Sequence, residues 1–276
     1  VLLMFSPTLL KGNHYKVGEN MSRTIAIANQ KGGVGKTTTA VNLSAALSKE
    51  NKKVLLIDLD EQANATIGVG LSRELVEATS YDLLATEVGI EELIYFSVEN
   101  GFYIIPASIQ LSTIENNLIC QENAKFILSE KLKAIANDYD YVLLDCPPSL
   151  GIIIDNALFA SDSVIIPVEC DYYAYDALTQ MVNKINQIQN EKRRSKESLT
   201  IEGILLTKLD NRNIFGYKIV DKVRDLFPSK TFQTIINRSS HIQEAPMYGK
   251  SVLKYAYTSR GSKEYRELAQ EIINNH

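Results

Sequence analysis

Short apolar runs, each ending near glycines or acids, alternate along this chain with stretches in which apolar positions return every three or four residues. Residues 24–29 (TIAIAN) run into a glycine-rich turn, after which Ala40, Leu43 and Leu47 recur at helical spacing. Residues 54–59 (VLLIDL), 102–106, 141–145, 164–168 and 201–207 repeat the theme of a strand apolar on both faces. Amphipathic stretches at about 122–137, 151–160, 175–190 and 215–227 separate most of them. This alternation predicts one α/β domain: a mostly parallel sheet covered by helices on both faces. Such sheets bind ligands at the carboxyl ends of their strands, where the acids and glycines of this chain fall. Near the C-terminus Tyr265, Leu268, Ala269 and Ile272 form an apolar stripe, with Glu264, Glu267 and Glu271 among the polar positions. That pattern predicts a helix packed on the core, not a basic helix lying on a membrane.

Composition narrows the class without naming a chemistry. The 276 residues are 45% apolar and 22% charged, as in ordinary globular proteins, which excludes disordered or collagenous chains. No apolar run reaches the roughly 18–20 residues of a membrane-spanning helix. Cys120, Cys146 and Cys170 lie far apart without a CxxC pair, so neither a disulfide framework nor a structural zinc site is expected, and a reducing cytoplasm suits the chain. Residues 1–20 read unlike the rest, and Met21 stands directly before the first strand pattern. We therefore expect 1–20 to be an extension outside the fold and 21–276 to be the domain.

The strongest chemical signal is Gln30-Lys31-Gly32-Gly33-Val34-Gly35-Lys36-Thr37-Thr38, between the first strand and the first helix. A glycine-rich turn lets successive backbone N–H groups converge on a phosphate, and the following helix adds its positive end. Lys36 would reach the β- and γ-phosphates, and the Thr37 hydroxyl would ligate Mg²⁺. This is a P-loop, so a nucleoside triphosphate and Mg²⁺ are the expected ligands. Glycine is usual where Gln30 stands, and a second lysine, Lys31, precedes the glycine pair. At the end of the strand at 141–145, Asp145 is placed to hold Mg²⁺ through its waters.

KGGVGKTT resembles the deviant Walker A ATPases, and three further strings resemble their ParA/Soj partition branch: VLLIDLDEQANAT at 54–66, DCPPSLG at 145–151 and HIQEAP at 241–246. The segment at 166–174 (IPVECDYYA) is similar to that branch as well. The resemblance implies an ATP-driven homodimer in which Lys31 reaches the partner's phosphates. It also implies that Asp60 positions the attacking water, while Asp58 supports the Mg²⁺ shell and loop hydrogen bonds. Base contacts map to Lys208, Asp210 and, more weakly, the Asn237-Arg238 turn. Two positions depart from the branch: Glu61 where it has proline and Ala63 where it has glycine, changes expected to alter loop stiffness.

Net charge is only −4, yet residues 181–254 hold fourteen Lys/Arg against seven Asp/Glu, a local +7. A basic third in an acidic chain suits binding to DNA backbone without base reading, with Arg193, Arg194, Lys218, Lys222, Arg224 and Lys250 as candidate contacts. The branch implies a ParB-like protein that stimulates hydrolysis, a cytoplasmic, nucleoid-associated location and no membrane partner. Two rivals on the same scaffold are a MinD-like membrane-surface ATPase and a dethiobiotin-synthetase-like enzyme.

Overall fold

In this computed structural model, residues 22–118, 121, 123–194 and 197–275 are described. The expected extension at 1–20, Cys120 and Lys196 lie outside them. The sheet has eight strands: β1 (Arg23–Ile27), β2 (Val54–Asp58), β3 (Tyr95–Ser97), β4 (Phe102–Ile105), β5 (Tyr141–Asp145), β6 (Ser163–Glu169), β7 (Thr200–Leu209) and β8 (Ile236–Asn237). Their order is β3-β4-β2-β5-β1-β6-β7-β8, and every pair is parallel except the β3–β4 hairpin. Six of the eight match the apolar runs. The three-residue β3 and two-residue β8 do not, because neither is long enough to show a period.

The helices are α1 (Lys36–Lys49), α2 (Asn64–Gly68), α3 (Ser80–Ala85), α4 (Ile114–Leu118), α5 (Ile127–Leu132), α6 (Ile152–Ala160), α7 (Ala174–Arg194), α8 (Ile214–Leu226), α9 (Ser240–Glu244), α10 (Val252–Tyr255) and α11 (Arg260–Asn274). Strand side chains alternate between two buried layers. Ala26, Leu55, Ile57, Val142 and Leu144 meet the layer that includes α6 and α7 residues; Ile25, Ile27, Leu56 and Leu143 meet α1 and α11. The stripe of α11 packs inward as its pattern predicts, with Leu268, Ala269 and Ile272 fully buried against α1. The predicted helix at 122–137 is shorter in fact: α5 is flanked by single 3₁₀ turns at Ala124–Phe126 and Lys133–Ile135.

Register decides what the site contains. β1 is central, with β5 on one side and β6 on the other. Ile27, the last residue of β1, pairs with Asp145, and Asp145 pairs in turn with Asp58 of β2. Two carboxylates therefore end adjacent strands side by side, directly below the loop that leaves β1.

Candidate nucleotide site

The loop from β1 to α1 is glycine-dependent at two places. Gly33 and Gly35 take φ of 75° and 95°, a region that costs other residues about 1–2 kcal/mol. Asn29 braces the loop, accepting from the Lys31 N–H and donating to the Pro167 carbonyl of β6 at 2.7 Å. From the far side the Thr207 hydroxyl donates to the Val34 carbonyl at 2.8 Å, tying the loop to β7. α1 then begins with no side-chain cap and no acid in its first turn. Its orphan N–H groups and positive dipole end open on a cleft of about 590 Å³ lined by Gly32, Gly33, Gly35, Lys36, Thr37 and Thr38.

Lys36 is 6% exposed and its ammonium folds back to donate to the Lys31 carbonyl at 3.2 Å. Burial lowers its pKa, and the nearby Asp145, Cys146 and Asp60 oppose that shift. A desolvated cation in this position is stabilised by any anion that enters the cleft.

The two register-paired carboxylates behave differently. Asp58 is saturated: its Oδ2 accepts from the backbone and hydroxyl of Thr66 at 2.9 and 2.8 Å, and its Oδ1 accepts from the Asp60 N–H. Burial raises its pKa to about 6, partly countered by those bonds. Asp145 is equally buried, yet neither of its oxygens has a hydrogen-bond partner of full geometry. Burial and the neighbouring Asp58 hold its pKa well above the usual range, and the Thr37 hydroxyl lies close enough to offset part of the shift. A buried orphan carboxylate beside a hydroxyl is the donor set a magnesium ion accepts when phosphates and water supply its remaining ligands. Among the described residues, no group of three His, Cys, Asp or Glu side chains could cage a metal alone.

Asp60 lines the cleft, and its Oδ1 accepts from the Gln62 N–H. Ala63, where the resembled branch has glycine, sits at φ 50° and is fully buried, so this loop carries backbone strain. Lys31, on the exposed approach to the loop, is ion-paired with Asp171 and stands 5.9 Å from the centroid of the Tyr173 ring. Lys208 reaches the cleft from a bulge in β7, at φ 54°, with its ammonium 3.6 Å from Glu169. Asp210 does not line the cleft; it is occupied by Arg212, whose guanidinium holds its carboxyl below the usual range. Asn237 is also withdrawn, its side chain bonded to the buried Glu264 at 2.6 Å.

The basic candidates divide into separate groups. Arg193 and Arg194 are exposed at the end of α7, and Lys218 and Lys222 are exposed on α8, where Lys222 lies 5.2 Å from the Tyr175 ring centroid. Arg224 is half-buried and donates to the Gln233 carbonyl. Lys250 lines the nucleotide cleft and pairs with Glu99 at 3.8 Å. Lys192, counted in the basic third, is no surface charge: its buried ammonium caps α6 by donating to the carbonyls of Phe159 and Ser161 at 2.8 and 2.7 Å.

Several residues that shape the site have no signature in sequence. Thr207 acts on a carbonyl 173 residues away. Thr66 both holds Asp58 and accepts from the Ala107 N–H, and its only local hint is a hydroxyl shortly after an acidic strand end.

Residues 22–201 match the family model of an AAA domain. The sporulation initiation inhibitor protein Soj of Bacillus subtilis is 43% identical over 255 residues, covering 92% of this chain and 100% of that protein. The chain belongs to the ParA/Soj family. The chromosome partitioning protein ParA of Myxococcus xanthus is 39% identical over 92% of this chain and 88% of that one. Among solved structures, cobyrinic acid a,c-diamide synthase of Mycobacterium smegmatis with bound ADP and magnesium superposes with a TM-score of 0.80. It is 29% identical and covers 92% of this chain and 95% of that one. The ParA/Soj chain thus has the α/β fold of P-loop NTPases, and it is an ATPase of the partitioning type. No described helix is long and apolar enough to cross a membrane.

Proposed function

We propose that this ParA/Soj chain is a Mg²⁺-dependent ATPase whose ATP-bound homodimer binds DNA without sequence preference and releases it on hydrolysis, serving chromosome or plasmid partition. The observation that carries the reading is Lys31: a partly exposed cation immediately ahead of a phosphate loop that already has its own buried lysine, Lys36. Two cations on one loop suit a triphosphate contacted from both sides of a dimer.

In this reading the N–H groups of 32–38 and Lys36 hold the triphosphate. Thr37 and Asp145 hold magnesium, which offsets charge on the phosphate oxygens when bound. Asp60 orients the attacking water, and Asp58 keeps the loop that carries Asp60 in place through Thr66. Lys208, which lines the cleft, contacts the base or ribose. A ParB-like partner accelerates hydrolysis, and Arg193, Arg194, Lys218 and Lys222 contribute to a DNA face that dimerisation doubles.

Sedimentation velocity with ATP, with ADP and without nucleotide tests the dimer. ATP should shift the protein from monomer to dimer, ADP should not, and Lys31→Ala should remain monomeric. A wild-type protein that stays monomeric with ATP contradicts the reading.

The synthase likeness favours no second reading here. That structure's bound ADP and magnesium agree with a nucleotide site, whereas HIQEAP, at the cleft wall, and DCPPSLG resemble the partition branch.

A further inference from the structure

One wall of the cleft is a surface strap that carries Gln243, Pro246 and Lys250. Its ends are anchored by the buried Ala245, Val252 and Leu253, but between them the 3₁₀ turn and the left-handed Gly249 form no regular element that would fix residues 246–250. The stretch around Lys250 is fastened from beneath by a buried side chain on the β3–β4 turn. Asn100 is 5% exposed and does not line the cleft. Its Oδ1 accepts from the Ser251 N–H at 2.6 Å, and its Nδ2 donates to the Gly249 carbonyl at 3.1 Å and to the Ser97 hydroxyl at 2.9 Å. Both neighbours of Lys250 are thereby held by the same amide. The Val69 carbonyl, at the end of α2, lies 3.5 Å from the same Nδ2.

Two further contacts make this fastening a matter of position. Gly249 lies against Gly70 so closely that a Cβ at 249 would fall 2.6 Å from the Gly70 Cα. The strap therefore abuts the turn after α2, the helix that follows Asp60. Asn42 of α1, itself in the cleft wall, donates to the Thr38 carbonyl and accepts from the Val252 N–H, both at 2.7 Å. The strap is registered against the phosphate-binding helix on one side and the Asp60 segment on the other.

We propose that Asn100 is a positioning residue of the nucleotide site: it holds the 246–250 wall at the distance from the P-loop helix that nucleotide binding requires. The proposal rests on reading the cleft as a nucleotide site. Only an amide meets the demand at this position. It must accept one backbone N–H and donate to a carbonyl and a hydroxyl from a single planar group. Aspartate keeps the acceptor and loses both donors; alanine leaves the Ser251 N–H and the Gly249 carbonyl unmatched.

The test is a titration with a fluorescent ATP analogue on the full chain, comparing wild type, Asn100→Asp, Asn100→Ala and Pro246→Ala. Ile188→Ala, on the buried side of α7 in the other core layer, serves as a control for lost stability. The expected result is a dissociation constant raised about tenfold in both Asn100 variants at a temperature where each is folded, and unchanged in Ile188→Ala. Combining Asn100→Asp with Pro246→Ala should add less than the sum of the two, because both act through one wall. Constants within twofold of wild type in both Asn100 variants, or the same rise in Ile188→Ala, would overturn the proposal. Failure of the underlying site assignment is separable: wild type would then bind no analogue, or Lys36→Ala would bind it as well as wild type does.

Discussion

The ammonium of Lys31 is ion-paired with the carboxylate of Asp171, a residue 140 positions later in the chain, at the start of the segment that leads into α7. Lys31 is the residue that a face-to-face dimer would need free to contact the partner's phosphates. In the single chain it is held by its own acid. With side chains 25% and 36% exposed, the pair is worth no more than about 1 kcal/mol.

Releasing that contact should ease association without disturbing the fold. Asp171→Asn is expected to lower the protein concentration at half-dimerisation in saturating ATP by up to about 30-fold, since a symmetric dimer releases two such pairs and 1.4 kcal/mol is tenfold. Its melting temperature should change little. Sedimentation velocity across a concentration series reads the shift, and a weakened dimer would show that Asp171 serves the interface directly.

Asp145 is a buried carboxylate without a full hydrogen bond, so it costs the ligand-free protein stability. Asp145→Asn should raise the stability of the free chain at neutral pH by about 1–3 kcal/mol while removing ATP hydrolysis. The pH dependence follows from sign. Burial raises this acid's pKa in the fold above its unfolded value near 4, so its stabilising protonated form is full at low pH and is lost as pH rises through the folded value. The advantage of the asparagine variant should therefore grow from pH 5 to pH 8. Thermal melts over that range check it, and an advantage that shrinks with pH would count against the assignment.

Asp60 and Asp58 should separate by phenotype. Asp60→Ala is expected to slow hydrolysis by at least about 100-fold while ATP affinity holds within a few-fold, as befits a group that acts on water. Asp58→Ala removes the acceptor for Thr66 and Asp60 and should lower melting temperature as well as turnover. Turnover and melting measured together distinguish them; wild-type turnover in Asp60→Ala would move the water-orienting role elsewhere.

Lys36→Ala should abolish ATP binding, because a buried cation otherwise satisfied by a carbonyl is lost. Calorimetric titration reads this outcome, and an unchanged affinity would remove the loop from the site.

The long parallel strands and the phosphate loop were legible in sequence because each is written in consecutive residues. Apolar runs at β1, β2 and β5 and glycines at 33 and 35 carry their own geometry. Contacts made across the sheet were not legible. Lys192 reads as one base in a cluster, and only the approach of α6 reveals it as a buried cap. Lys250 reads the same way, yet the Asn100 fastening turns its segment into cleft wall. Asp210 is a base-contact position by the family pattern, and its ion pair with Arg212, two residues on, could not be read from that pattern. Ala63 departs from the pattern in a way that sequence does flag, and its left-handed φ gives the physical reason for glycine there.

The most direct test of the central claim is binding to random-sequence duplex DNA with ATP, with ADP and without nucleotide, over a series of salt concentrations. Binding that needs ATP and weakens steeply with salt is the expected result, because a dimer would double the basic residues that meet phosphates. Equal binding in all three states, or none in any, would contradict a nucleotide-switched DNA-partitioning ATPase.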